Sequence, residues 1–259
     1  MLQPAMRLQN LDHYRRTGAL SPFGCYLVAL GTLVPASDGP LSLELAEAFL
    51  SRVGISRERL RLRVSSKDDD LLGIAKGGHA KIETDGYEMY RYRHSYGNPG
   101  LCGRNINFAV RVHDSFRDVG NLIIIEQDGA IRGIELAFSI NNLVACRDEL
   151  DHPIVATPGV AAYLHGFTSL MASDALGSSV ALALDGLLPS SRGRAGRFRE
   201  FVRILKALAP SARALGTVIE ACLTAECEIR EHISPLHNGA RDIDPAAAAE
   251  ILDGELRRA

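Results

Sequence analysis

The chain has no tryptophan, no long apolar run, no strong net charge and no paired pattern of cysteines. Each gap closes a class of function. No stretch approaches the ~18 continuous apolar residues of a membrane-spanning helix, so no membrane association is expected. With 29 Lys+Arg against 31 Asp+Glu the formal charge is -2. That excludes a surface coated in one sign, and any contact with a polyanion must come from a local patch. The five cysteines, Cys25, Cys102, Cys146, Cys222 and Cys227, are odd in number and scattered. Such usage fits reduced thiols in a cytoplasm rather than a disulfide framework. Cys222 and Cys227 lack a matching His or Cys pair at zinc spacing, so no metal is expected. The start, Met1 to Arg7, lacks the sustained apolar run of a secretory leader, and none is expected.

Hydrophobic residues at 46% and charged residues at 23% predict a packed core rather than disorder. Leu43 to Val53 has helical spacing, with Ser42 as its N-cap. Leu60-Arg61-Leu62-Arg63-Val64 alternates as a strand does. Tyr87 to His94 and Asn105 to Val112 are further strand candidates. Asn121 to Glu126 is strongly β, and Asp128-Gly129 then leads into the alternating Ile131 to Ile140. Asp-Gly between two such runs signals a hairpin. Beyond residue 155 the chain turns Ala/Leu-rich, with helical stretches at Val160 to Leu187, Phe198 to Ala209, Pro210 to Arg230 and Pro245 to Arg258. Antiparallel strands followed by helices predict an α+β fold. The division expected is 1–155, sheet-bearing, and 156–259, all-helical.

One stretch concentrates positive charge. Arg192, Arg194, Arg197, Arg199, Arg203 and Lys206 stand beside a single acid, Glu200. A helix would put Arg199, Arg203 and Lys206 on one face, at i, i+4 and i+7, and Phe198, Val202, Leu205 and Ala209 on the other. Localised charge of this kind steers and holds a polyanion. A solvated basic face on an ordinary surface helix is the plain alternative.

Four segments occur in an order that carries further meaning: Phe49-Leu50 through Val53-Gly54-Ile55 and Glu58-Arg59-Leu60 to Lys67-Asp68-Asp69-Asp70; Gly100-Leu101-Cys102-Gly103; Gly120-Asn121-Leu122-Ile123; and Asp185 to Gly196. Together, over residues 20 to 230, they resemble the N-terminal part of the alanyl-tRNA synthetases. The resemblance implies a class II synthetase-like antiparallel sheet with flanking helices, followed by a helical tRNA-recognition domain. It places Asp185 to Gly196 on the acceptor-stem side, with Ser191 where the family has an asparagine. It also puts Asn121 at the family's pocket asparagine, while the family's pocket tryptophan falls on Tyr87 or Glu88.

The departures from the family concern ATP. Its motif 2 aligns best with Ser21 to Gly31, where the arginine position falls on Pro22 and the acidic one on Val28. Its motif 3 aligns with Gly133-Ile134-Glu135-Leu136 or Asn142-Leu143-Val144-Ala145, and both put an apolar residue at the arginine. Arginine holds phosphate oxygens bidentately, so ATP chemistry loses its main electrostatic source. The family's dimer motif is not visible, and a monomer is expected.

What remains is a surface for tRNA and a pocket for an amino acid. An aminoacyl-tRNA ester is already activated, so positioning alone can drive its transfer. The expected activity resembles that of the synthetase-derived, aminoacyl-tRNA-dependent transferases of antibiotic biosynthesis. An aminoacyl group, isoleucyl being one candidate, moves from tRNA to an amine or sulfonamide of a small-molecule acceptor, with neither ATP nor another cofactor. A non-catalytic tRNA- or amino-acid-binding regulator and an ATP-dependent ligase are the alternatives. Candidate catalytic residues are Glu88, His94 and Asn121, the first two as general base or as groups that orient the acceptor. Tyr87, Tyr90, Arg91, Cys102 and Asn121 are candidate substrate contacts, and Ser191, Arg192, Arg194, Arg197, Arg199, Arg203 and Lys206 candidate tRNA contacts. Plainer readings stand beside these. The strand at 85–94 can be an ion-paired surface strand, Cys102 a small buried residue, and Asp68-Asp69-Asp70 an exposed acidic turn.

Overall fold

Leu60, Leu62 and Val64 sink into the core while Arg61 and Arg63 take the opposite face of the same strand, as a two-residue period requires. The same alternation recurs in the neighbouring strands and builds an α+β fold. The computed structural model describes residues 1–86, 92–96, 98–157, 160, 169–208, 212–233 and 243–259. In chain order its elements are β1 (Leu2–Met6), α1 (Leu8–Thr17), β2 (Tyr26–Val34), α2 (Gly39–Arg52), β3 (Leu60–Ser65), α3 (Asp69–Lys76), β4 (Lys81–Asp85), β5 (Arg93–Ser95), β6 (Leu101–Val112), β7 (Ser115–Gln127), β8 (Ala130–Ser139), α4 (Ile140–Arg147), α5 (Leu170–Leu184), α6 (Gly193–Leu208), α7 (Ala212–Ile233) and α8 (Pro245–Arg258). The strands form one mostly antiparallel sheet in the order β1-β2-β8-β7-β6-β3-β4, with β5 on β6. Only β3 and β4 are described as a parallel pair. The chain divides into two compact units, 29–149 and 1–28 together with 150–259.

In the unit of 29–149, β7 and β8 are joined through Asp128 and Gly129, both at positive φ (52° and 80°). A two-residue hairpin turn of this hand needs that backbone, and Asp-Gly supplies it. Helices α2, α3 and α4 give Leu43, Ala46, Leu50, Leu71, Ala75, Leu143 and Cys146 to a core shared with Leu62, Ile106, Phe108, Leu122 and Phe138. All three stand on one face of the sheet. The opposite face carries Arg61, Arg63, Asn105, Asn107, Asn121, Ile123, Glu135 and Ala137, as the strand registers require.

Three details differ from expectation here. Helix α2 starts at Gly39, with Pro40 in its first turn, and Ser42 lies inside it, donating through Oγ to the Asp38 carbonyl at 2.8 Å. Proline suits the first turn, where its missing N–H leaves nothing unsatisfied. Asp68 is no exposed turn residue. It is buried between Arg93 (2.7 Å) and Arg104 (3.2 Å), and α3 begins directly after it. Cys102 is exposed, not buried.

In the other unit α5 is buried almost throughout, as a central helix packed on several sides must be. Ser169 caps it, accepting from the Ala172 N–H. Asp244 caps α8 in the same way, with Pro245 in the first turn. Phe198, Val202 and Leu205 of α6 pack into this core as their spacing predicts; Ala209 lies outside the described residues.

Candidate functional site

The sheet face away from α2, α3 and α4 in the unit of 29–149 brings three asparagines together. Asn105 and Asn107 are i and i+2 on β6, and Asn107 is the Cα partner of Asn121 on β7. Asn107 Oδ1 accepts from both Asn105 Nδ2 and Asn121 Nδ2, so the two donors fix its orientation. Asn105 and Asn107 are buried, whereas Asn121 is half-buried, and its Oδ1 has no partner among the described residues. Asn121 thus offers a held, outward acceptor, one for which an amine or ammonium is the complement.

Beside this row stands an acid. Glu135 is the Cα partner of Ile123, two residues along β8 from Ala137, the partner of Asn121. At the rise of a strand that is about 7 Å. Tyr96 donates its hydroxyl to Glu135 Oε2 at 2.7 Å. Burial and this carboxylate hold the Tyr96 phenol above its ordinary range, so it remains a donor at neutral pH. Glu135 Oε1 has no partner among the described residues and is open to a proton.

His94 lies opposite Gly103 and shares the face of the asparagines. A side chain at 103 would meet Ile123 Cγ2 at 2.6 Å and the His94 Cβ at 3.5 Å, so glycine lets Ile123 and His94 pack there. The His94 ring lies 6.5 Å from that of Tyr96, centroid to centroid. Of the sequence candidates, the structure therefore brings His94 and Asn121 to one face. Cys102, one residue before Gly103, takes the other face, where its nearest acid is Glu126 (Sγ to Oε2 3.9 Å). Tyr87, Glu88, Tyr90 and Arg91 lie outside the described residues. Asn105, Asn107, Tyr96 and Glu135 were not singled out from sequence, although the two-residue spacing of Asn105 and Asn107 is itself a one-face signal.

Arg61 and Arg63 share this face too. Arg63 is taken by Asp118 (3.4 Å) and Glu83 (3.3 Å). Arg61 sits over the Phe116 ring at 5.0 Å and has no carboxylate partner among the described residues.

In the other unit the basic segment separates into two groups. Arg197 pairs with Asp12 (2.8 Å) and Glu200 (3.0 Å), and Arg199 with the buried Glu255 (2.5 Å). Arg192, Arg194, Arg203 and Lys206 are exposed and have no acidic partner among the described residues. Ser191 is exposed beside them, in a turn closed by Ser190, whose Oγ donates to the Arg192 carbonyl at 3.1 Å. The free positive charge is thus carried by four side chains rather than six.

No cluster of His, Cys, Asp and Glu among the described residues is arranged to hold a metal ion. No helix among them is long and apolar enough to cross a membrane. No protein-family model matches the chain, and no curated protein matches it.

Proposed function

We propose that the protein is an aminoacyl-tRNA-dependent transferase with a class II synthetase-like sheet and a helical tRNA-binding unit. The observation that carries this reading is the sheet face away from the helices, where the partly exposed Asn121 and Glu135 lie about two residues apart and Asn121 Oδ1 and Glu135 Oε1 have no partner among the described residues. A face with one acceptor for an ammonium and one carboxylate for a proton suits aminolysis of an ester. The α-ammonium of the aminoacyl group donates to Asn121. The acceptor amine attacks the ester carbonyl, the C–N bond forms and the C–O bond to the ribose breaks. Glu135 takes the proton from the nitrogen and returns it to the departing ribose oxygen. The ester is already activated, so positioning supplies the rest, and an amine or sulfonamide nitrogen is the acceptor. Arg192, Arg194, Arg203 and Lys206, which have no acidic partner among the described residues, support the tRNA part of the reading, because such cations are available to phosphates.

The test is direct. The protein is mixed with preformed aminoacyl-tRNA and small amine acceptors in the absence of ATP, and amide product and deacylated tRNA are followed by mass spectrometry. Amide formed in step with deacylation supports the reading; deacylation without amide removes it. A second reading, an ATP-dependent aminoacyl ligase, is favoured by Arg61, which lies over Phe116 on the same face. It requires amino-acid-dependent exchange of pyrophosphate into ATP.

A further inference from the structure

A cavity of about 340 Å³ opens within the unit of 1–28 and 150–259, beside the basic surface. It lies at the lower end of the range for small-molecule sites, about 300–1,000 Å³. Met6, Leu8 and Leu182 give it apolar walls. Arg194 and Arg197 stand on its lining as well. Arg197 is engaged by Asp12 and Glu200, whereas Arg194 is exposed and unpaired among the described residues.

The wall opposite in charge is Asp185. Its carboxylate is held by Arg230 at 2.9 Å, and Arg230, almost fully buried, is itself held by Glu226 at 3.3 Å and the Ala181 carbonyl at 3.2 Å. Tyr26, which also lines the cavity, donates its hydroxyl to Glu226. A buried network therefore fixes an acceptor on the wall before any ligand arrives, and such pre-organisation favours binding.

From this arrangement we infer that the cavity is a site for one nucleotide, its base between the apolar walls and its 5′-phosphate on Arg194. A base presents flat apolar faces to Leu8 and Leu182 and edge N–H donors to Asp185. Asp185 also disfavours a second phosphate by like charge, so a monophosphate or a phosphodiester fits better than a triphosphate. The nucleotide comes from an unpaired residue of a bound RNA or from a free mononucleotide. Arg192, exposed two residues before Arg194, adds positive charge beside the site and favours the RNA, and that preference rests on the function proposed above.

The experiment uses the full chain, a blunt RNA hairpin, the same hairpin with one unpaired 3′ nucleotide, and 5′-AMP. Binding is read by fluorescence anisotropy for the RNAs and by calorimetry for AMP. Ala5, on the cavity wall, is changed to Phe to fill the space, with Met6→Trp as a second plug if Ala5→Phe melts early. The overhang is expected to tighten binding about tenfold, and the plug to erase that gain while blunt binding stays unchanged. A gain that survives both plugs, or equal binding of the two RNAs together with no AMP binding, overturns the site. If neither RNA binds but AMP binds and the plug abolishes it, the cavity stands as a mononucleotide site and the tRNA reading falls. If nothing binds, both fall.

Discussion

Arg199 Nε lies 2.5 Å from Glu255 Oε1, and that carboxylate is only 1% exposed. The pair ties α6 to α8 and takes Arg199 out of the cationic surface. Removing the guanidinium leaves the buried carboxylate with only the more distant, exposed Arg258, 3.8 Å from Oε2. Arg199→Ala is expected to destabilise the protein by roughly 2–3 kcal/mol, somewhat below the loss for a fully buried pair, with little change in RNA affinity per folded molecule. Urea unfolding and RNA binding measured on the same variant separate the two effects.

The exposed cations should behave in the opposite way. Arg194→Glu and Arg203→Ala are expected to leave the melting temperature within a degree or two of wild type and to weaken RNA binding. Each neutralised phosphate contact should flatten the slope of log affinity against log salt by about 0.9. Affinities measured across a salt series check this. Unchanged slopes would mean the helix face is only solvated.

Asp174 accepts the Cys25 N–H on both carboxylate oxygens at 2.9 Å and pins the entry to β2. Burial pushes its carboxyl up from 3.8 to about 6, although the N–H donors pull the other way. A raised folded value means the folded state holds the proton more tightly. The contribution is therefore complete below about pH 4 and is lost as pH rises through about 6. A shift of this size corresponds to about 3 kcal/mol. Asp174→Asn removes the titration. The stability difference, wild type minus variant, is expected to fall by up to that amount between pH 4 and 7 in urea unfolding. Parallel pH profiles would contradict the assignment.

The proposed reaction gives Glu135 and Asn121 of the sheet face separable roles. Glu135→Gln is expected to lower kcat of amide formation by about 100-fold or more, the usual range for loss of a general base, with KM for aminoacyl-tRNA little changed. Asn121→Ala is expected to raise that KM about tenfold through loss of the ammonium contact. Steady-state kinetics on the two variants check the split, and identical profiles would remove one of the two roles.

Much of the fold was legible wherever local chemistry decided the structure. Asp128-Gly129 dictates its turn, Phe198, Val202 and Leu205 their buried stripe, and Asp244-Pro245 could have marked the start of α8. Elements held by distant partners were not. Helix α1 has no side-chain N-cap and carries Arg15 and Arg16 in its last turn, so nothing in its own residues marks it as buried at Asn10 and Leu11. Asp68 reads as one of three acids in a row until Arg93 and Arg104 converge on it. Residues 1–28 join the unit of 150–259 through long-range contacts such as Cys25 to Asp174. The candidate site was legible in part for the same reason. Asn121 and His94 share a face through strand register, and Tyr96 reaches Glu135 across 39 positions of sequence.

The central claim is transfer without nucleotide activation. The measurement that addresses it most directly is a single-turnover reaction of the protein with radiolabelled aminoacyl-tRNA and an amine acceptor, run with apyrase present to destroy ATP. The account predicts that label passes from tRNA to an amide at the same rate with and without apyrase. Label that stays on tRNA, or an amide that forms only when ATP is restored, would contradict it.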